Sequence, residues 1–193
     1  IDEAYGGCGG DFTLSALVVQ VLSMRGFAAL ATNVSVHSDI VAPYIAHLGN
    51  EEQKQQWLPK LVSGEAVGAI AMTEPGAGSD LQAMTTSARK SDYGFCISGQ
   101  KTFITNGQHG DVCIVAAKTD PTAGAKGISL FLLDKQSAGY EVGTNLEKIG
   151  QHCGDTSELF FDDVLCKEPL GQLNQGFRYL MEELPRERLI LSI

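Results

Sequence analysis

Thr73 and Ser79 bracket the densest run of turn formers in the chain, Thr73-Glu74-Pro75-Gly76-Ala77-Gly78-Ser79-Asp80. The apolar run Ala66–Met72 stops there. Two readings stay open. A tight turn between strands would use Pro75 to preset φ and the glycines to supply positive φ. A ligand loop would instead present both hydroxyls beside exposed backbone N–H groups, which suits a planar heteroaromatic ring with several acceptors. A phosphate loop is excluded, because there is no Gly-Lys-Ser/Thr and no clear amphipathic helix follows.

A second stretch, Gly99-Gln100-Lys101-Thr102-Phe103-Ile104-Thr105-Asn106-Gly107, puts an aromatic beside hydroxyls. Alternate residues of a strand share a face, so Lys101, Phe103 and Thr105 are expected on one side. Phe103 could then stack a ring while Thr105 bonds its edge. Alternatively, Phe103 belongs to the core and Asn106-Gly107 forms a turn. The third stretch, Leu184-Pro185-Arg186-Glu187-Arg188-Leu189, continues a helical stripe of Phe177, Leu180, Met181 and Leu184. Glu187 falls three residues after Leu184 and seven after Leu180; Arg188 falls four after Leu184 and seven after Met181. Both charges extend the stripe, whereas Glu182 and Arg186 lie opposite. A carboxylate on such a face needs a partner or a task, because burying it unpaired is costly. The competing reading is an exposed charged helix end, and Pro185 favours it by its capacity to break the helix and reset its phase.

The elements that must position these stretches follow from periodicity. Residues 11–62 are helical in pattern. Asp11 or Thr13 caps a first helix with Leu14, Leu17, Val18, Val21 and Leu22 at spacings of three and four, ended by Gly26. A small-residue stretch, Phe27–His37, precedes a helix near Asp39–His47 that stops at Gly49. Asn50 caps the next helix, with Glu51, Glu52 and Gln53 in its first turn, and Ser63-Gly64 ends it. Beyond residue 65 come short β-rich runs: Val67–Met72, Thr85–Lys90, Phe95–Ser98, Lys101–Thr105, Val112–Lys118, Ile128–Asp134 and Glu158–Phe161. Asp92-Tyr93-Gly94 fits a hairpin turn. So many short strands predict a barrel or sandwich, and the helical period returns near Gln175.

The bulk numbers bound the function. The chain has 193 residues, of which 44% are hydrophobic and 19% charged, the balance of a globular protein. A net charge of −9 argues against nucleic-acid binding, which needs a basic footprint. No apolar run approaches the ~20 residues of a membrane span, and no signal peptide is visible. Five scattered cysteines without a CxxC pair disfavour a disulfide framework and a metal site, and are expected to be reduced in a cytosol-like compartment. Both ends read as cut: Ile1 is not an initiator methionine, and the pattern Arg188–Ile193 has no stop signal.

The three stretches, in this order, resemble the acyl-CoA dehydrogenase family. TEPGAGSD and GQKTFITNG carry the resemblance, and the supporting matches are Tyr5-Gly6-Gly7, Leu48-Gly49-Asn50-Glu51-Glu52-Gln53-Lys54 with Trp57-Leu58-Pro59, and Gly154-Asp155-Thr156-Ser157-Glu158-Leu159-Phe160-Phe161. The resemblance covers essentially the whole chain. It implies an α+β multidomain fold: an N-terminal α-helical bundle (1–65), a middle β-barrel or sandwich (66–173) and the first helix of a C-terminal α-helical domain (174–193).

It also implies FAD as cofactor and α,β-dehydrogenation of an acyl-CoA thioester to trans-2-enoyl-CoA in fatty acid β-oxidation. An electron-transfer flavoprotein would accept the electrons. Ile70, Met72, Thr73, Gly78 and Ser79 match the stretch that lines the flavin, and Ser79 also matches a position near the thioester. Phe103, Ile104 and Thr105 match the stretch packed on the isoalloxazine, although many members have Trp where Phe103 stands. Val164–Glu168 lacks a proline usual in the family. Glu187 matches the catalytic base of the long-chain and isovaleryl branches, and Arg188 matches a substrate contact. A homodimer or homotetramer, in a bacterial cytoplasm or the mitochondrial matrix, is the implied setting. An oxidase or monooxygenase on the same fold, with O2 as acceptor, and a non-catalytic binding protein are the rival readings.

Overall fold

The computed structural model describes residues 1–193. Helix α1 (Phe12–Met24) starts where Asp11 accepts the Leu14 N–H at 3.2 Å, so Asp11 rather than Thr13 is the cap. Gly26 ends it at φ 86°. The buried seam of α1 is not the expected one. Leu14, Leu17, Val18 and Val21 stay exposed, while Phe12, Ala16, Val19 and Leu22 pack toward Ala31 and Ile190.

The expected small-residue stretch and separate helix are one continuous helical run. It comprises α2 (Ala28–Ser35), a wide π turn (Val36–Val41) and α3 (Ala42–Leu48). Pro43 explains the widening. It has no N–H for the Asp39 carbonyl, and the Ala42 N–H reaches five residues back to the His37 carbonyl. Helix α4 (Glu51–Ser63) begins with the expected cap. Asn50 accepts the Gln53 N–H at 2.9 Å, and the Gln53 side chain accepts the Asn50 N–H at 3.1 Å. Trp57, Leu58 and Leu61 anchor it in the core.

The strands are β1 (Gly68–Ala71), β2 (Ser87–Ser91), β3 (Gly94–Thr105), β4 (Val112–Lys118), β5 (Ile128–Asp134), β6 (Tyr140–Asn145), β7 (Thr156–Cys166) and β8 (Pro169–Leu170). They run in the order β6-β7-β3-β2-β4-β5-β8, with β1 parallel to β4. The two halves meet only at Ser87 opposite Lys118, so the sheet folds on itself. Its inner faces share one core containing Ile97, Val115, Phe131, Leu159 and Phe161. The outer face of β4, with Val112, Ile114 and Ala116, belongs to a second core with the helices. Burial on both faces is why β4 reads as unbroken apolar sequence.

Three strand expectations change. The runs Phe95–Ser98 and Lys101–Thr105 are one strand, whose register with β7 shifts between Ile97 and Gly99. Strand β7 extends well beyond Glu158–Phe161, and β6 and β8 carry no clear alternation. The hairpin turn at Asp92-Tyr93 is where it was expected. Gly94 (φ 133°) is required there, because a Cβ would lie 2.3 Å from the Cys166 carbonyl oxygen. All five cysteines are free thiols.

His37 ties the helices to β1. Its Nδ1 accepts the Gly68 N–H at 3.1 Å, so Nε2 carries the proton and donates to the Leu61 carbonyl at 3.0 Å. Burial holds the imidazole below its ordinary value of 6.5, against the smaller opposing pull of the Leu61 carbonyl. A group that binds its proton more weakly when folded contributes stability above the unfolded value and loses it as pH falls. The urea midpoint should therefore drop as pH falls below 6.5 through the depressed folded value, and the slope should be smaller in His37→Asn. An unchanged slope in that variant would remove His37 as the cause.

Helix α5 (Gly176–Leu191) closes the chain and runs straight through Pro185, so the phase is not reset. Gly176 lets it sit directly on β5, since a Cβ there would lie 2.8 Å from the Ser129 Cα.

Candidate active site

The two signature stretches are stitched together by a buried ion pair. Lys101, fully buried, donates from Nζ to Glu74 Oε1 at 2.9 Å and to the Met72 carbonyl at 3.0 Å. Glu74 is 4% exposed. It also accepts the Thr85 N–H at 2.6 Å, the Thr85 hydroxyl at 2.7 Å and the Thr86 N–H at 3.0 Å. The Thr102 N–H donates to the Thr73 carbonyl at 3.0 Å. Burial pushes the Glu74 carboxyl upward, but hydrogen bonding from Thr86 and the Lys101 charge prevail and hold it at about 2. Burial in turn lowers Lys101, against the pull of Glu74. A glutamate in a turn and a lysine inside a β-rich run were the available signal, since neither can be buried alone.

Within the loop, Glu74 and Ala77 exchange backbone hydrogen bonds of 2.9 and 3.1 Å around Pro75-Gly76. So a tight turn is present. The expected role of its glycines is not: neither Gly76 nor Gly78 has positive φ. A Cβ on either would meet nothing within 4 Å. The loop thus leaves an open face that a flat ring could approach, which fits a flavin.

Strand β3 departs from the alternation expected of it. Its register with β7 shifts between Lys101 and Ile104, and Phe103 takes φ 59°. A non-glycine residue in this region costs about 1–2 kcal/mol. Here it is held by buried neighbours on both sides. Lys101 and Ile104 turn inward, whereas Phe103 turns outward and is 66% exposed. Phe103 therefore neither shares a face with Lys101 nor belongs to the core. Phe103 follows directly on Thr102, whose N–H bonds the Thr73 carbonyl of the loop. The following turn is locked by Asn106 (φ 62°), whose Nδ2 donates to the Asn33 and Gly68 carbonyls, each at 3.0 Å.

Loop and helix enclose a cavity of about 620 Å³. Met72, Thr73, Gly78, Ser79 and Leu81 form one wall. Phe177, Met181, Leu184, Pro185 and Arg188 form the other. The walls are largely apolar, with hydroxyls on one side and a single cation on the other. Five expected site residues are thus brought together: Met72, Thr73, Gly78, Ser79 and Arg188. Ile70 is not on the wall, because it packs toward the helices. Phe103, Ile104 and Thr105 of β3 are not on the wall: Phe103 is exposed, Thr105 is half-buried, and Ile104 points into the core of the sheet at 2% exposure.

Glu187 also leaves the wall, for a reason of helical phase. Gly176, Leu180, Glu187 and Ile190 form the buried stripe of α5, adjacent to the cavity stripe of Phe177, Met181, Leu184 and Arg188. Glu187 is 5% exposed, and its Oε1 accepts the Tyr44 hydroxyl at 2.8 Å. Burial raises its carboxyl above the ordinary value. The Tyr44 hydrogen bond opposes this, Glu183 adds to it, and Arg188 opposes it. The expected core-facing position of Glu187 is observed. The partner was not predictable, because Tyr44 lies 143 residues away.

A second cavity, of about 420 Å³, lies beside α2. Its polar floor is already satisfied: Asn33 Nδ2 donates to Asn106 Oδ1 at 2.7 Å and to Asp155 Oδ1 at 2.8 Å. It contains none of the expected site residues, and the loop–helix cavity is the better candidate.

The chain is similar to known proteins along its length. A family model described as the acyl-CoA dehydrogenase N-terminal domain matches residues 1–65, and one for the middle domain of the same family matches residues 69–164. The long-chain specific acyl-CoA dehydrogenase, mitochondrial, of Sus scrofa is 47% identical over all of this chain and 45% of its own length. The crystal structure of an acyl-CoA dehydrogenase from Geobacillus kaustophilus is 48% identical with a TM-score of 0.94, over 98% of this chain and 50% of that one. A structure of PigA with FAD and proline is 30% identical with a TM-score of 0.93, over all of this chain and 51% of that one. The chain spans about half the length of the relatives it matches.

Proposed function

The chain belongs to the acyl-CoA dehydrogenase family, and from that premise we propose that it supplies the flavin loop, the thioester wall and the base of an FAD-dependent acyl-CoA dehydrogenase. The reaction is loss of one hydrogen from each of Cα and Cβ of an acyl-CoA thioester, giving trans-2-enoyl-CoA. The observation that carries this reading is the loop–helix cavity with a buried carboxylate on the same helix, one residue from the Arg188 wall.

FAD, when bound, supplies the acceptor for the β-hydride. Met72, Thr73, Gly78 and Ser79 would hold its edge, and Phe103 and Thr105 its face, with Ile70 and Ile104 contributing backbone only, since their side chains pack into the cores. Ser79 also faces the thioester. The apolar Phe177, Met181 and Leu184 suit an acyl tail and exclude water from the reacting carbons. Arg188 places a positive charge beside them. Glu187 takes the α-proton onto its carboxylate. Desolvation disfavours the charged form of that group, which makes it a stronger base toward a weakly acidic carbon. The electron acceptor of the whole enzyme is an electron-transfer flavoprotein, and its setting is a bacterial cytoplasm or the mitochondrial matrix, as the mitochondrial relative supports. A homo-oligomer completes the reading. No helix is long and apolar enough to cross a membrane.

The test is anaerobic. Mixing the intact protein with acyl-CoA should bleach the flavin, and admitting air should reoxidise it slowly. Rapid reoxidation with peroxide release would replace the dehydrogenase reading by the oxidase one, and no bleaching with acyl-CoAs from short to long chain would end both. Ser79→Ala should raise KM for the thioester more than it lowers the limiting rate of bleaching, a split that steady-state kinetics would show.

A further inference from the structure

We propose that Tyr44 is a positioning residue for Glu187, fixing which carboxylate oxygen receives the proton. The inference rests on the reading of Glu187 as the base. Tyr44 is fully buried, and its hydroxyl donates to Glu187 Oε1 at 2.8 Å. Oε2 takes no hydrogen bond from the chain, so it is the oxygen left to accept a proton. The α-C–H bond breaks, its electron pair leaves with the carbon, and the proton forms an O–H bond at Oε2 while Tyr44 keeps Oε1.

Three features show that the contact is built into the fold. First, the wide turn ahead of Pro43 sets the phase of α3, so that Tyr44 points inward from its first turn. Second, a parallel rung lies one turn away, where His47 Nδ1 meets Glu183 Oε1 at 2.8 Å. Tyr44 and His47 are three apart on α3, and Glu183 and Glu187 are four apart on α5, so the two helices face each other along both rungs. Third, the ionisable groups acting on Glu187 are few: Tyr44 from α3, and Glu183 and Arg188 from α5 itself. His47 occupies Glu183, which would otherwise leave a second carboxylate free beside the base.

The hydroxyl donates to the ionised carboxylate and so stabilises it. Tyr44→Phe keeps the ring and removes the donor. The acidic limb of single-turnover flavin bleaching should then move to higher pH by about one to two units, the worth of a hydrogen bond to a charged group. KM should change little. A readout independent of turnover is the titration of the Glu187 carboxyl by 13C NMR in the intact oxidised protein, assigned by its loss in Glu187→Gln. It should move in the same direction. Should Tyr44→Phe misfold, incorporation of 3-fluorotyrosine strengthens the donor without removing it and should move both limb and titration to lower pH. A carboxyl titration unmoved by either change would overturn the Tyr44 inference while leaving Glu187 as base. A Glu187→Gln protein that bleaches at the normal rate would instead remove the base reading on which the inference stands.

Discussion

Glu187→Gln should slow flavin bleaching by acyl-CoA at least about a hundredfold, the lower range of what a positioned general base contributes. Gln keeps the shape of the side chain and can still accept the Tyr44 hydroxyl, so the fold should be retained. What it loses is the oxygen that takes up the proton. Substrate affinity should survive, because the cavity walls come from Phe177, Met181, Leu184 and Ser79 rather than from Glu187. The decisive measurement is stopped-flow bleaching under anaerobic conditions, compared with binding of a non-reactive thioester. A normal rate in this variant would show that the proton leaves by another group. A lost rate together with lost binding would show a folding defect, which thermal unfolding separates.

Lys101→Met should strongly destabilise the sheet. It removes the cation that faces Glu74 and leaves a buried carboxylate with its charge uncompensated. Breaking a buried pair in this way costs about 3–5 kcal/mol. For a chain of this size each kcal/mol is worth about 2–4 °C in Tm, so a fall of about 6–20 °C is expected. Glu74→Gln combined with Lys101→Met should recover part of the loss: the uncompensated charge is gone and the Gln oxygen still accepts the Thr85 N–H and hydroxyl, although its NH2 cannot accept the Thr86 N–H that Oε1 takes in Glu74. The same pair has an acid limb. The Glu74 carboxyl is held at about 2 against an ordinary 4.5, so its contribution is complete above the ordinary value and is lost as pH falls toward the folded one. Additive losses in the double variant, measured by a mutant cycle, would mean that the two side chains do not act as a pair. The loop would be affected first, since Lys101 also holds the Met72 carbonyl that enters it.

Local signals were legible where the chain satisfies itself nearby. The Asn50 cap, the Gly26 stop and the Asp92-Tyr93 turn each depend on residues within four positions, and each was found. The strands β6 and β8 were not, because their burial depends on β7 and β5 rather than on their own pattern. The apolar stripe of α1 misled for a related reason: periodicity names an apolar face but not what lies against it. Pro43 widened a helix where a break was expected, since its neighbours are held on both sides by packing.

The sequence by itself determined the order of helices, strands and final helix, the family, and the residue types of the candidate site. Those are properties of short windows, set by side-chain chemistry and backbone preference. Only the tertiary structure decided how the pieces meet. It placed Lys101 under the loop, turned Phe103 outward through a register shift, and set Glu187 against Tyr44 rather than on the cavity wall. Each of those outcomes turns on a partner far away in sequence. Their physical reason is common: a buried charge or hydroxyl must find its partner in space, and local periodicity carries no record of which one it finds.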